Sequence, residues 1–404
     1  MALTPVDEAL AAVIGGVAPT EVEHVELAAA RGRILAQDLA ARRTQPPFDA
    51  AAMDGWALRA ADAATPGARL RAIGEAAAGR GFSHTVEPGT CVRIFTGAPV
   101  PPGADTVEMQ EHATREGDTV VFADAVKPNR HIRAAGVDFR EGAVGLTAGT
   151  RLDFTNLGLV AAMNHGTVPV RRRPRVAVLA TGDELVAPGT TPGPDQIIAS
   201  NGYGITALIE AVGGEAVDLG IVRDDLDATI AAIEDGFARG IDALVTIGGA
   251  SVGDHDHVHA ALAAAGVEFA FWKLAMRPGK PLMFGRRDET RVIGLPGNPA
   301  ASLVGTLIFV APLVRALAGI AATGPETETV VLGRAIGAND QRQDYLRARL
   351  AIDAEGRLVA HPADLQDSSL LTRFAAADGL IVRPPHAPAA AAGDTARFVR
   401  FPRG

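Results

Sequence analysis

Residues 175–185 decide the fold: Arg175-Val176-Ala177-Val178-Leu179-Ala180, followed at once by Thr181-Gly182-Asp183-Glu184-Leu185. The first six are nearly all apolar and lack the alternation of a half-exposed strand, so they read as a short buried strand. The turn behind it presents amides and two carboxylates at the strand's carboxyl end. Moving outward, a helix is expected from about 201 to 212 and a strand over 216–221. Leu226, Ile230, Ile233 and Phe237 share one helical face. Residues 243–247 (ALVTI) are another buried strand, 292–295 the next, and a long apolar helix runs from about 299 to 318. Strands alternating with helices predict a parallel, doubly wound sheet. Such sheets bind ligands at the carboxyl ends of their strands.

The flanks have a different texture. Val6, Leu10, Val13, Ile14 and Val17 fall at helical spacing behind Thr4 as cap and Pro5 at the first helical position. From about 43 to 140, short apolar runs are cut by Gly and Pro, which predicts a small β-rich unit. Residues 141–172 are mixed and end in Arg171-Arg172-Arg173-Pro174, read as a solvated linker. Beyond about 325, alternation in Tyr345–Leu350 predicts a small C-terminal β domain. The expected class is multidomain α/β plus β. The expected boundaries are 1–45 with 141–173 as a discontinuous N-terminal linking region, 46–140 as a β-rich insertion, 174–323 as the βα domain and 324–404 as the C-terminal domain.

Composition narrows the function. Aromatics make up 4% of the 404 residues against 48% hydrophobic, so the cores must be built of Ala, Val, Leu and Ile. A net charge of -9 argues against a nucleic-acid binder. An acidic chain holds an anion only through a local basic cluster. The single cysteine, Cys91, rules out an intramolecular disulfide, fits a reducing compartment and reads as a small buried hydrophobe. Met1–Pro5 lacks the regions of a signal peptide, and no charge-free apolar run of about 18 residues stands out. No membrane partner is expected, and the cytoplasm is the expected location.

Four motifs fall in the loops of the βα part. The Thr181–Leu185 turn reads equally as a ligand loop or a helix-capping turn. Gly248-Gly249-Ala250-Ser251-Val252-Gly253-Asp254 follows ALVTI. Its glycines permit close backbone approach and an anion cradle, though it is neither a Walker loop nor the dinucleotide fingerprint. Asp254, His255, Asp256, His257 and His259 come next. A zinc site competes there with ordinary helix capping, and a hard cation such as Mg²⁺ suits Asp256 better. Residues 272–281 carry Lys273, Arg277 and Lys280 in a Pro-Gly-rigidified turn, the local basic cluster an oxyanion would need. Leu295-Pro296-Gly297-Asn298-Pro299 opens the long helix, with Asn298 as cap. In the β-rich part, Pro46–Ala57, Arg93–Pro99 and Gly136-Val137-Asp138 each read alone as turns.

Taken together and in order, Met53-Asp54-Gly55, Phe95-Thr96-Gly97-Ala98-Pro99, Thr181-Gly182-Asp183-Glu184, Ser251-Val252-Gly253, Pro278-Gly279-Lys280-Pro281 and Leu295–Pro299 resemble the molybdopterin molybdenumtransferases, including gephyrin-type E-domains. The resemblance runs nearly end to end. It implies an elongated homodimer of four-domain subunits whose βα domain is like the molybdopterin adenylyltransferases. It also implies a Mg²⁺-dependent insertion of molybdate into adenylylated molybdopterin, with release of AMP. Transient contact with the adenylyltransferase or with recipient molybdoenzymes would follow.

Carried over by motif, the resemblance makes Glu184, Asp224 and Asp256 the acidic residues of the pterin and metal site, with Glu184 and Asp256 holding Mg²⁺. Asp224 keeps a rival reading as the cap of the next helix. Lys273 would contact phosphate or pterin. Arg277 and Lys280 would hold molybdate, joined by Arg347 and Ser368. Thr181, Gly182, Gly248, Gly249, Ser251, Gly253, Pro296 and Pro299 would line the substrate site, and Asp54, Thr96 and Asp138 would reach it across the dimer interface. The chain departs from the family at Trp56, Ala250, Arg277 and Ile247, where Tyr, Val, Lys and a small polar residue are common. Three rival readings stand beside it: the preceding adenylylation step, which the βα part alone could suggest but whose single-domain enzymes lack the N-terminal motifs, a peptide-anchoring scaffold, and a tungstate-directed paralogue.

Overall fold

The computed structural model describes residues 3–249, 257–321 and 324–402, arranged as two compact units. One comprises Met1–Glu23, Gly32–Ala36 and Pro169–Gly404; the other comprises His24–Arg31 and Gln37–Val168.

The first unit is built on a six-stranded sheet. Its strands are β1 (Arg175–Thr181), β2 (Glu215–Val222), β3 (Ala243–Ile247), β4 (Glu268–Lys273), β5 (Pro281–Arg287) and β6 (Thr290–Leu295), in the order β2-β1-β3-β6-β5-β4. Residue alternation along β1 explains why it is apolar throughout. Val176 and Val178 pack with Ile205, Ile209 and Val304. Ala177 and Leu179 point the other way, to Ile233, Val258 and Leu262. Helices α1 (Asn201–Ala211) and Pro299–Leu317 therefore cover one face, and α2 (Leu226–Ala238) and α3 (His257–Ala264) the other. The sheet is doubly wound, as expected, but not wholly parallel. β5 runs antiparallel to β6, and β4 antiparallel to β5. The basic turn at 272–281 masks this hairpin in the sequence, because its Pro and Gly signals interrupt two strands that pair across it.

The helix from Pro299 to Leu317 is long and apolar enough to cross a membrane by length and composition. It carries Arg315, so it is not the charge-free run whose absence was expected, and 83% of its apolar window is buried inside the protein, as suits a core helix. Residues 306–310 form a π turn just before Pro312. Proline lacks the N–H that would continue the α ladder, so a change of register there is physically natural.

A small barrel follows. Gln343–Ile352, Leu358–Pro362, Glu328–Leu332, Thr395–Arg400 and Gly379–Arg383 pair in that order, and the last returns to the first. Closure leaves no free edge within this ring. Val330, Leu332, Ala348, Ala360, Ile381 and Phe398 fill it. Met276–Arg277 adds in parallel beside Gln343 and Asp344, which attaches the basic segment to the barrel.

Two local expectations change. Helix Val6–Ile14 starts one residue later than read. Pro5 takes the cap position with no side-chain bond, and Thr4 instead bridges Leu274. The Arg171–Arg173 run is not merely solvated. Arg172 clamps Asp242 through two bonds of 2.9 Å and also bonds Glu21, and Arg171 donates to the Thr20 carbonyl at 2.9 Å.

The second unit carries a sheet of six short strands in the order Thr106–Met109, Gly55–Leu58, Thr90–Ile94, Arg69–Ala76, Thr119–Phe122, Ala113–Glu116. Helix Phe154–Ala162 is capped by Asp153, whose carboxylate accepts from the amides of Thr155 and Asn156. Cys91 is fully buried, and burial pushes its thiol up to about 12, so it packs as a hydrophobe.

Candidate active site

The carboxyl ends of β1, β3 and β6 open onto a cavity of about 770 Å³. Its floor and walls include Thr181, Gly182 and Glu184 after β1, Asp224 after β2, Gly248 and Gly249 after β3, and Pro296, Gly297, Asn298 and Pro299 after β6. Eight of the expected site residues are therefore brought together: Thr181, Gly182, Glu184, Asp224, Gly248, Gly249, Pro296 and Pro299. Ile247 also lines it. Asp256, Ser251 and Gly253 lie outside the described residues, as do Asp254 and His255.

Main-chain bonds knit the loops. The Gly182 amide donates to Val222, and that of Gly248 to Leu295. Asp183 accepts the Asp224 amide at 3.3 Å. Asn201 donates through its side chain to the Gly297 carbonyl at 2.7 Å. Glycine is required at two of these turns. Gly248 has φ +92, and a Cβ there would lie 2.7 Å from the Thr181 carbonyl oxygen. Gly182 has φ +152, a conformation strained for any L side chain, and the Glu184 carboxylate folds back over the turn to within 2.5 Å of where a Cβ would lie.

The rival readings of two motifs separate here. Asp225, not Asp224, caps α2, accepting the Ala228 amide at 2.8 Å; Asp224 lines the cavity. Asn298 stands at the cap position before Pro299 but makes no side-chain cap bond. The Ala300 amide there is instead taken by the Ser368 carbonyl at 2.9 Å. Ser368 thus acts through its backbone, and the neighbouring Ser369 lines the cavity. Sequence reasoning missed Ser369, Asn201 and the apolar wall of Leu185, Ile197 and Ile198. Ile197 is 58% exposed, which only the structure reveals.

The basic cluster sits at the same edge. β4 ends at Lys273, and β5 begins at Pro281, which faces the cavity. Being antiparallel partners, they bring the two ends of the turn together, with Lys273 opposite Pro281. The turn is held by Thr4, whose amide donates to the Lys273 carbonyl and whose carbonyl accepts from Ala275, and by Leu274 donating to the Lys280 carbonyl. Lys280 is exposed. Arg277 pairs with Asp344 and lies 3.7 Å from Asp340. Arg347 is 1% exposed, donating to Gln366 and to the Asp367 carbonyl, with Nη2 buried and unpartnered. Its burial pulls its pKa down. His259, read with the metal-ligand stretch, is instead stacked between Phe269 and Trp272 at 4.3 and 3.9 Å.

In the second unit, Asp54 accepts both the amide and the hydroxyl of Thr96, at 2.8 and 2.7 Å. These bonds, the amide first, hold its carboxyl below the usual range. Asp138 is exposed on a turn whose amide bonds Gln45. The stretch 45–52 ties the loops together, since Gly97 bonds Ala51, Ala52 bonds His131 and Gly136 bonds Pro46.

A doubly wound sheet with glycine turns, paired carboxylates and a basic edge defines a domain for a phosphorylated or oxyanionic small molecule. Family models agree. Residues 4–164 match the MoeA N-terminal region (domain I and II), 177–316 a probable molybdopterin binding domain, and 329–401 the MoeA C-terminal region (domain IV). The chain is 34% identical to the molybdopterin molybdenumtransferase of Haemophilus influenzae over 95% of both chains. It is 33% identical to that of Bacillus subtilis over 94% of this chain and 90% of the relative. The crystal structure of a Pyrococcus molybdopterin biosynthesis MoeA protein superposes over the full length of both chains with TM-score 0.86 and 30% identity. The chain belongs to the molybdopterin molybdenumtransferase family, transferases of molybdenum cofactor biosynthesis.

Proposed function

We propose that this transferase inserts molybdate into adenylylated molybdopterin and releases AMP. The cavity at the carboxyl edge of β1, β3 and β6 carries this reading, because two chemistries meet in it. Its lining combines glycine turns, Glu184 and Asp224 with the apolar Leu185, Ile197, Ile198 and Ile247. A flat ring system joined to phosphates needs both.

The mechanism assigned to these residues is positioning and charge neutralisation. The Gly182, Gly248 and Gly249 turns cradle the phosphates, with Thr181, Pro296 and Pro299 shaping the walls. Lys273 contacts phosphate or pterin. Lys280 and Arg277 hold molybdate, joined by Arg347 and Ser368; the unpartnered Nη2 of Arg347 supports this, because a buried guanidinium donor needs an acceptor. The two dithiolene sulfurs then bond to molybdenum, their thiol protons leaving with a displaced oxo oxygen as water, and a water molecule cleaves the phosphoanhydride to give AMP and the phosphate of the pterin.

Two cavity carboxylates, Glu184 and Asp224, fit Mg²⁺, which binds through few carboxylates plus substrate phosphates. Glu184 and Asp256 would hold the ion, and it would supply charge neutralisation at the phosphates. A homodimer in which Asp54, Thr96 and Asp138 of a second copy complete the cleft, and a cytoplasmic site of action with transient contacts to the adenylyltransferase or recipient molybdoenzymes, belong to the same reading.

The test supplies the purified protein with adenylylated molybdopterin, Mg²⁺ and micromolar molybdate and follows AMP release and reconstitution of a cofactor-free molybdoenzyme. Molybdate-dependent release that is lost in Lys280→Ala is expected. Release that ignores molybdate would overturn the reading.

A further inference from the structure

The three cations of the basic edge do not stand in equal surroundings. Arg277 is seated on the barrel. Asp344 is its register neighbour in the parallel pairing and accepts from its Nη2. Asn339 Oδ1 lies 3.4 Å from the same nitrogen. That amide cannot turn away, because its Nδ2 donates to the carbonyls of Arg342, Arg383 and Pro384 at 2.7–3.1 Å. Asp340 stands 3.7 Å from Nη1 and bonds Arg342 at 2.7 Å. Two guanidinium groups, Arg277 and Arg342, thus face two carboxylates, Asp340 and Asp344, and their charges cancel. Neither Lys273 nor Lys280 has a side-chain partner among the described residues.

Asp344 is the unusual member of this set. It is 4% exposed, and its Oδ1 is buried without a partner. Burial pushes its carboxyl up, whereas the Arg342 guanidinium draws the exposed Asp340 down to about 2. A buried carboxylate with one oxygen unpaired costs stability, and a positioning role gives a reason for keeping it.

We infer that Asp344 is a positioning residue for the oxyanion site: it fixes the Arg277 guanidinium against the barrel and cancels much of its charge, leaving Lys280 and Lys273 to offset the oxyanion. The inference rests on the molybdate reading above. Arg277 then contributes directed N–H groups rather than net charge. That differs from a lysine at this place, whose single ammonium could not serve carboxylate and oxyanion at once in a fixed fork.

The test measures molybdate affinity of the full-length protein by calorimetry without pterin, alongside the molybdate KM and kcat of AMP release. Asp344→Asn keeps an acceptor for Arg277 and removes the charge, so Kd and KM for molybdate should both fall about fivefold or more, with kcat not following. Asp344→Ala removes the acceptor, frees the guanidinium and should raise both. A purely structural Asp344 would lower the melting temperature and the active fraction in both variants and leave Kd unmoved; unmoved or same-direction shifts overturn the inference. If Asp344→Ala does not fold, the Asp344→Asn affinity alone decides. Wild-type protein that binds no molybdate while still releasing AMP would remove the molybdate reading and this inference together.

Discussion

Asp183 Oδ1 accepts the main-chain N–H of Asp224, tying the turn after β1 to the loop after β2 at 3.3 Å. The bond holds Asp224 over the cavity while its neighbour Asp225 caps α2. The two adjacent aspartates should therefore fail differently. Asp225→Ala should lose about 1 kcal/mol of stability, as caps do, and keep most of its activity. Asp224→Ala should keep its stability and lose AMP release. Chemical denaturation and the release assay on both variants check this; equal behaviour would refute the division of roles.

Gly248→Ala places a methyl 2.7 Å from the Thr181 carbonyl at φ +92. The strain should cost about 1–3 kcal/mol and shift the β3 turn into the cavity. The expected outcome is a lower melting temperature together with weaker binding of adenylylated molybdopterin. An unchanged melting curve would show that the turn relaxes freely.

Arg172 bonds Asp242 twice and Glu21 once, and Asp242 also accepts the Arg175 amide at the start of β1. Arg172→Ala leaves a half-buried carboxylate short of donors and should cost about 2 kcal/mol. The loss should appear in urea midpoints, with the molybdate KM unaltered. A solvated linker arginine would instead leave stability within experimental error.

The Asp54–Thr96 pair predicts a pH dependence. Its folded carboxyl titrates below the unfolded one, held down by the Thr96 amide and hydroxyl. The pair therefore stabilises above the unfolded value, about 3.9, and its contribution fades as pH falls through the lower folded value. Asp54→Asn should melt below wild type at neutral pH, and the two curves should converge in strong acid. A gap that widens with acidity would contradict the assignment.

Much of the architecture was legible locally. The apolar runs of β1, β3 and β6 announce burial on both faces, because their side chains alternate between two covered sides. Glycine at 182 and 248 marks turns that any L side chain would strain. These are properties of short segments, so period and turn chemistry suffice. The β4–β5 hairpin was hidden because proline and glycine mark its turn as strongly as they would mark a loop. The choice between Asp224 and Asp225 was hidden because a shift of one residue leaves composition unchanged and reverses direction.

Only the tertiary structure decides the company each charge keeps. Sequence alone determined that Lys273, Arg277 and Lys280 form one basic turn beside a doubly wound sheet. It could not foresee that Arg277 meets Asp344, 67 positions away, or that Lys280 makes no side-chain hydrogen bond or ion pair among the described residues. Nor could it place Ser369 rather than Ser368 on the cavity wall. Such pairings depend on strand register and on closure of the barrel, which are set by packing between distant segments. A local pattern reports how a side chain faces its own backbone, and the partner waiting there comes from elsewhere in the chain.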